Sequence, residues 1–101
     1  MASFIVSLTY TAPIEAVDAL LDDHVAWLRA QHAAGHLLGW GRKVPREGGI
    51  LLAKGESREN VEALAAQDPF VKGGVARFEV IEWAHGFLDD SIAGLASDWA
   101  G

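Results

Sequence analysis

The sequence contains no cysteine, which excludes disulfide bonds and thiolate metal sites. No apolar run approaches the roughly 20 residues that a membrane-spanning helix needs. The first ten residues, MASFIVSLTY, lack the basic region and the cleavage site of a secretory signal. The formal net charge of −6 leaves no basic stripe of the kind that nucleic-acid-binding proteins carry. We therefore expect a soluble, cytoplasmic protein that binds neither membranes nor nucleic acid.

What remains is the composition of one globular domain. The chain has 101 residues, of which 50% are hydrophobic and 22% are charged. Residue periodicity and start and stop signals predict strands at 2–10, 36–44, 50–55 and 75–83, a helix between Pro13 and Gly35, and a second helix from its cap Ser57 through Gln67. The order strand, helix, strand, strand, helix, strand predicts an α+β, ferredoxin-like βαββαβ fold. It has an antiparallel sheet with both helices on one face.

Two helices cover only one face of a four-stranded sheet, yet the strands offer apolar residues to both faces. These residues are Phe4, Ile5, Ile50, Leu51, Val80 and Ile81. A large exposed apolar patch is unusual on a monomer, so a second copy of the sheet is the simplest cover, and we expect a homodimer. The alternative cover is the C-terminal extension, residues 85–101, where Leu88, Ile92, Leu95 and Trp99 have helical spacing. The domain itself is expected to span residues 1–84.

The first helix carries a histidine, His24, inside its apolar stripe. The stripe consists of Ile14, Val17, Leu21, Val25 and Leu28. His24 is therefore expected to point toward the sheet. One interpretation is a core histidine bonded to a backbone carbonyl. The other is a catalytic imidazole in a cleft between helix and sheet, which needs a carboxylate to fix its tautomer and to stabilise the imidazolium.

Asp68 is the best candidate for that carboxylate. Pro69 follows it and disfavours helical backbone angles at residue 68, which holds the aspartate extended at the end of the second helix. A carboxylate at a helix C-terminus is electrostatically unfavourable, so Asp68 is expected to have a partner. The alternative is ordinary turn chemistry, since aspartate is common beside proline.

Several stretches resemble a known family. DDHVAWLRAQHAAG, GWGR and AAQDPFVKGG, followed by a strand ending at Trp83, are similar to the YciI-like, or YCII-related, proteins. The resemblance covers residues 3 to about 84. It implies a homodimer of the dimeric α+β barrel type, with a pocket in each subunit that holds a His–Asp pair at His24 and Asp68. The family's glycines correspond to Gly35, Gly41 and Gly74. In one departure, Arg42 stands where many relatives have proline, and the segment after residue 84 has no counterpart.

The predicted function is cofactor-free general acid/base chemistry on a small-molecule substrate, either isomerisation or elimination. A histidine can take or give a proton at cellular pH, and the serines lack the context of a nucleophile. The family resemblance adds dehydrochlorination of chlorinated hydroxyquinones. Arg42 is a candidate to anchor an anionic oxygen, although a solvated charge at the end of a strand is the more common role of such a residue. Ser7 and Tyr10 are further substrate-binding candidates. Strand alternation places them on opposite faces, so at most one lines the pocket.

A competing function is a non-catalytic metabolite-binding or dimerisation module, in which His24 is only a hydrogen-bonding wall of the pocket. A metal site is not predicted. His32 and His36 have a spacing that suits metal ligands on a helix, but Gly35 ends the helix between them and no third ligand is placed.

Overall fold

The structure, a computed structural model, describes residues 2–87. Its elements are β1 (Ala2–Tyr10), α1 (Ile14–Ala19), α2 (Leu21–Ala33), β2 (Leu37–Arg42), β3 (Gly48–Gly55), α3 (Arg58–Ala65), α4 (Pro69–Lys72) and β4 (Ala76–Trp83). The strands form one antiparallel sheet in the order β2-β3-β1-β4. The predicted α+β, ferredoxin-like fold is confirmed. The predicted tail helix falls in residues 88–101, outside the described residues.

Helical structure between Pro13 and Gly35 is confirmed, but the prediction of one continuous helix is wrong. Leu20 separates α1 from α2 with backbone angles φ −107° and ψ 3°. Its N–H donates to the carbonyl of Val17 at 3.0 Å, a tighter turn than an α-helix makes. A Cβ atom added to Gly73 would lie 2.4 Å from Leu20 Cδ1, so the Leu20 side chain occupies the space above that glycine. The break between α1 and α2 thus coincides with packing of Leu20 against Gly73, at the end of α4.

The core lies between the helices and one face of the sheet. Phe4, Val6 and Leu8 alternate along β1 and are all buried, because every second side chain of a strand faces the helices. A second cluster of buried side chains, Val17, Phe70, Val75 and Ala76, joins α1 and α4 to the start of β4. This second cluster fixes α4 beside α2, where the candidate site lies.

The opposite face of the sheet, here called the open face, carries the alternate side chains. Its apolar members are Ile5, Ile50, Leu52, Ile81 and Trp83. None of them is fully buried, and Ile81 is 43% exposed. In the described part of the chain, no helix covers this face. None of the helices between residues 2 and 87 is long and apolar enough to cross a membrane.

The second predicted helix is confirmed with small changes at its ends. Ser57 caps α3, and its Oγ accepts a hydrogen bond from the backbone N–H of Asn60 at 3.1 Å. The helix ends at Ala65 instead of Gln67, and a separate four-residue helix, α4, follows. The sequence did not predict α4, and it changes the setting of Asp68.

Candidate active site

A cavity of about 180 Å³ lies between α2, α4 and the end of the sheet where β1 ends and β3 begins. Most of its wall is apolar, formed by Leu8, Leu21, Val25, Leu28, Leu51 and Phe70. Three glycines on β2 and β3, Gly41, Gly48 and Gly49, line the sheet side. The polar side chains that line it are those of Tyr10, His24, Trp40 and Arg42. A mostly apolar cavity with a few polar groups is the usual form of a small-molecule site.

His24 and Asp68 meet at the wall of this cavity. His24 Nδ1 lies 2.7 Å from Asp68 Oδ1, although the residues are 44 positions apart. His24 is 8% exposed and Asp68 is fully buried. An ionised carboxylate can only accept hydrogen bonds, so the proton of a neutral imidazole lies on Nδ1 and Nε2 keeps its lone pair. In that tautomer, Nε2 is the ring nitrogen left for other partners.

Asp68 has a second local role, as the N-terminal cap of α4. Its backbone is extended, with φ −58° and ψ 127°, as Pro69 requires. The same Oδ1 atom also accepts a hydrogen bond from the backbone N–H of Phe70 at 2.9 Å. The prediction of an unfavourable carboxylate at a helix C-terminus is therefore wrong. Asp68 begins a helix, where a carboxylate is favourable.

The ring of Phe70 lies flat against the imidazole of His24. Their centroids are 3.8 Å apart and their planes differ by 10°. Phe70 is 2% exposed and also meets Tyr10 edge-on, at 5.9 Å and 90°. The stack restricts rotation of the imidazole, while the Phe70 backbone holds the carboxylate. Phe70 was not among the predicted site residues, although it follows Asp68-Pro69 directly.

Tyr10 lines the cavity and is held from outside by Arg46. The Arg46 guanidinium lies 5.8 Å from the centre of the Tyr10 ring and forms an ion pair with Asp18 of α1 at 2.6 Å. Hydrogen bonds to Asp18, and secondarily to Tyr10, raise the pKa of Arg46 above its ordinary value. Arg46 thus ties the connection between β2 and β3 to α1 beside the cavity. Arg46 was not among the predicted site residues.

Arg42 and Ser7 differ in where they lie. Arg42 lines the cavity, is exposed, and within residues 2–87 has no hydrogen-bond or ion-pair partner. Ser7 pairs with Ile50 and Glu79 on the open face of the sheet and is not part of the cavity wall. Of the two candidates that strand alternation separates, Tyr10 lines this cavity and Ser7 does not. A substrate-binding role for either residue stays a prediction.

The two histidines with helical spacing do not form a metal centre in the described residues. His32, in the last turn of α2, meets the edge of Trp40 at 6.2 Å and 73°, and His36 follows the end of that helix. Between residues 2 and 87 no group of three or more histidine, cysteine, aspartate or glutamate side chains is arranged to hold a metal ion.

Comparison with known proteins agrees with this fold. A search of curated protein sequences finds no match. Among solved structures, the chain is similar to 5-chloro-2-hydroxyhydroquinone dehydrochlorinase from Burkholderia phenoliruptrix, solved in complex with 2,5-dihydroxybenzoquinone. The two are 21% identical, with a TM-score of 0.71 over 83% of this chain and 95% of the other. The sequence model of the YCII-related domain matches residues 3–84, which include β1 from Ser3, the four helices of the described residues and the whole of β4. The chain belongs to the YCII-related family.

Proposed function

We propose that this protein is an enzyme that transfers protons to and from a small organic substrate without a cofactor, with His24 as the base and Asp68 as its orienting partner. The observation that carries the proposal is the buried 2.7 Å contact between His24 Nδ1 and Asp68 Oδ1 on the wall of a cavity of about 180 Å³. A histidine that served only the core would need a hydrogen-bond partner but no cavity beside it.

In the proposed reaction, His24 Nε2 takes a proton from a carbon or a hydroxyl group of the substrate. The imidazolium that forms lies against the Asp68 carboxylate, which stabilises it and keeps the ring oriented. In an elimination, the released electron pair forms a double bond and the leaving group departs with its bonding pair. In an isomerisation, His24 returns the proton to a different atom. Neither step needs an oxidant or a reductant.

Arg42 is proposed to bind an anionic oxygen of the substrate. Its guanidinium is the side chain with a fixed positive charge on the cavity wall, and among the described residues it has no partner to displace. Tyr10, held by Arg46 and Phe70, is proposed to contact the substrate from β1. The similar dehydrochlorinase acts on a hydroxylated, chlorinated ring, so loss of hydrogen chloride from such a ring is the elimination to test first.

The first experiment measures chloride release from 5-chloro-2-hydroxyhydroquinone by the purified protein and by Arg42→Gln. We expect release above the buffer rate. In the variant, KM should rise by at least about tenfold with kcat little changed, because Arg42 would bind substrate and transition state alike. Lys43→Gln, at the next position but bonded to Thr9, is the matched control and should behave like the wild type. Release no faster than in buffer would contradict dehydrochlorination, and an unchanged KM would contradict the role of Arg42.

A homodimer is proposed to cover the open face of the sheet. Its apolar residues Ile5, Ile50, Leu52 and Ile81 have no covering helix among residues 2–87, and a second copy would bury them. Sedimentation should show a dimer at micromolar concentration. Ile81→Glu, which places a charge on the open face, should shift it to a monomer. Ile14→Glu is the matched control, since Ile14 has nearly the same exposure (38% against 43%) but lies on α1. A wild-type monomer would refute the proposal.

A further inference from the structure

On the sheet side of the cavity, one position in a row of neighbouring side chains is a glycine, Gly49, which has no side chain. Gly49 pairs with Leu8 of β1 on one side and with Arg42 of β2 on the other. Paired residues of antiparallel strands point to the same face, and both Leu8 and Arg42 line the cavity. A side chain at position 49 would therefore project into the cavity between an apolar wall and a guanidinium.

The space above Gly49 is limited on one side only. A Cβ atom added there would have one neighbour within 4 Å, the carbonyl oxygen of Gly41 at 3.1 Å. The adjacent Gly48 differs, because a Cβ atom there would lie 1.8 Å from the backbone oxygen of Leu8. Close packing of the two strands therefore requires glycine at position 48. Close backbone packing accounts for Gly48 but only in part for Gly49, whose missing side chain also enlarges the cavity.

We propose that Gly49 is a specificity-determining residue, whose bare backbone lets a flat, single-ring substrate lie against the sheet with an anionic oxygen at Arg42. The inference rests on the function proposed above and names the substrate class of the same site. A cavity of about 180 Å³ suits one substituted six-membered ring, since apolar protein cavities of roughly 150 Å³ are known to take benzene. A peptide plane offers a flat contact surface, whereas a methyl group at position 49 would hold the ring away from it.

The other walls fit the same ligand. Phe70 and Leu21 face the cavity from the helix side, and Trp40 lines it from β2 with 38% of its surface exposed. These side chains would bury the faces and edges of a ring. The guanidinium of Arg42, which has no partner among residues 2–87, would bind one anionic substituent. His24 reaches the same space, so the ring would lie within range of the proposed base.

The test is the binding of 2,5-dihydroxybenzoquinone, a flat ring with acidic hydroxyl groups, measured by calorimetry on the full chain. Gly49→Ala should weaken binding by at least about tenfold, the usual effect of one methyl group in a fitted pocket. Gly39→Ala is the matched control. It also adds a methyl group to a glycine of the sheet, but on the open face, with its nearest neighbour at an ordinary 3.9 Å. Its affinity should remain within about twofold of the wild type.

A second variant reduces the volume of the cavity from the helix side. Val25→Leu adds one methylene from α2 without touching the sheet, and it should weaken the same ligand even if Gly49→Ala does not fold. A folded Gly49→Ala protein that binds like the wild type would overturn the proposal. So would equal losses in Gly49→Ala and Gly39→Ala, or a wild-type protein that does not bind the ring. Because binding is measured without turnover, binding of this ring together with no chloride release from 5-chloro-2-hydroxyhydroquinone would refute the proposed dehydrochlorination and leave the role of Gly49 standing.

Discussion

Replacing Asp68 with alanine is expected to lower the free energy of unfolding by about 2–4 kcal/mol, because two buried donors lose their acceptor at once. Asp68 is fully buried, and its Oδ1 atom accepts from both His24 Nδ1 and the backbone N–H of Phe70. The substitution also removes the cap of α4, a loss of about 1 kcal/mol within that total. Chemical denaturation monitored by circular dichroism measures the change.

Two further variants separate the loss of the hydrogen-bond acceptor from the effect of removing an aspartate in general. Asp68→Asn keeps a side-chain oxygen for the two donors and should lose clearly less stability than alanine. Asp18→Ala removes another hydrogen-bonded aspartate, but this one is 51% exposed in its pair with Arg46, so its effect should be a small fraction of that of Asp68. Equal effects at positions 18 and 68 would show that burial of the His24–Asp68 contact contributes nothing to stability.

The fold could be predicted because the sequence signals that specify most of its helices and strands are local. Alternation along ASFIVSLTY, the cap at Ser57 and the order of the elements were enough to predict the sheet and its helical face. The break at Leu20 and the short helix α4 were not predictable in the same way. No proline or glycine marks Leu20, and its conformation accompanies packing against Gly73, which is distant in sequence.

The candidate site was predictable only in part. His24 was found because a histidine stood out in an apolar stripe, and the neighbouring proline drew attention to Asp68. The reason given for Asp68 was wrong, since the carboxylate begins α4 instead of ending α3. Phe70, Arg46 and Gly49 were missed, because a stacked ring, a guanidinium beside a tyrosine and a gap in a row of side chains arise only when distant segments meet. Local pattern carries no information about such contacts.

Substituting His24 with asparagine is expected to reduce turnover by about 10²–10⁴-fold, the usual contribution of a positioned general base. Asparagine tests the role of the base more specifically than alanine does. Its side-chain amide can replace Nδ1 as the donor to Asp68 Oδ1, whereas nothing replaces Nε2. The buried carboxylate then keeps a partner, and stability should fall less than in Asp68→Ala. Chloride release gives the rate and denaturation gives the stability.

His36→Asn is the matched control, because His36 follows the end of α2 and does not line the cavity. Its turnover should stay within about twofold of the wild type. Asp68→Asn should fall between the two variants, because the base remains but the amide no longer favours the proton on Nδ1 and stabilises the imidazolium less. A folded His24→Asn protein that retains more than a tenth of the wild-type rate would remove His24 from the chemistry. The cavity would then be a binding site, with the His24–Asp68 contact as part of its structure.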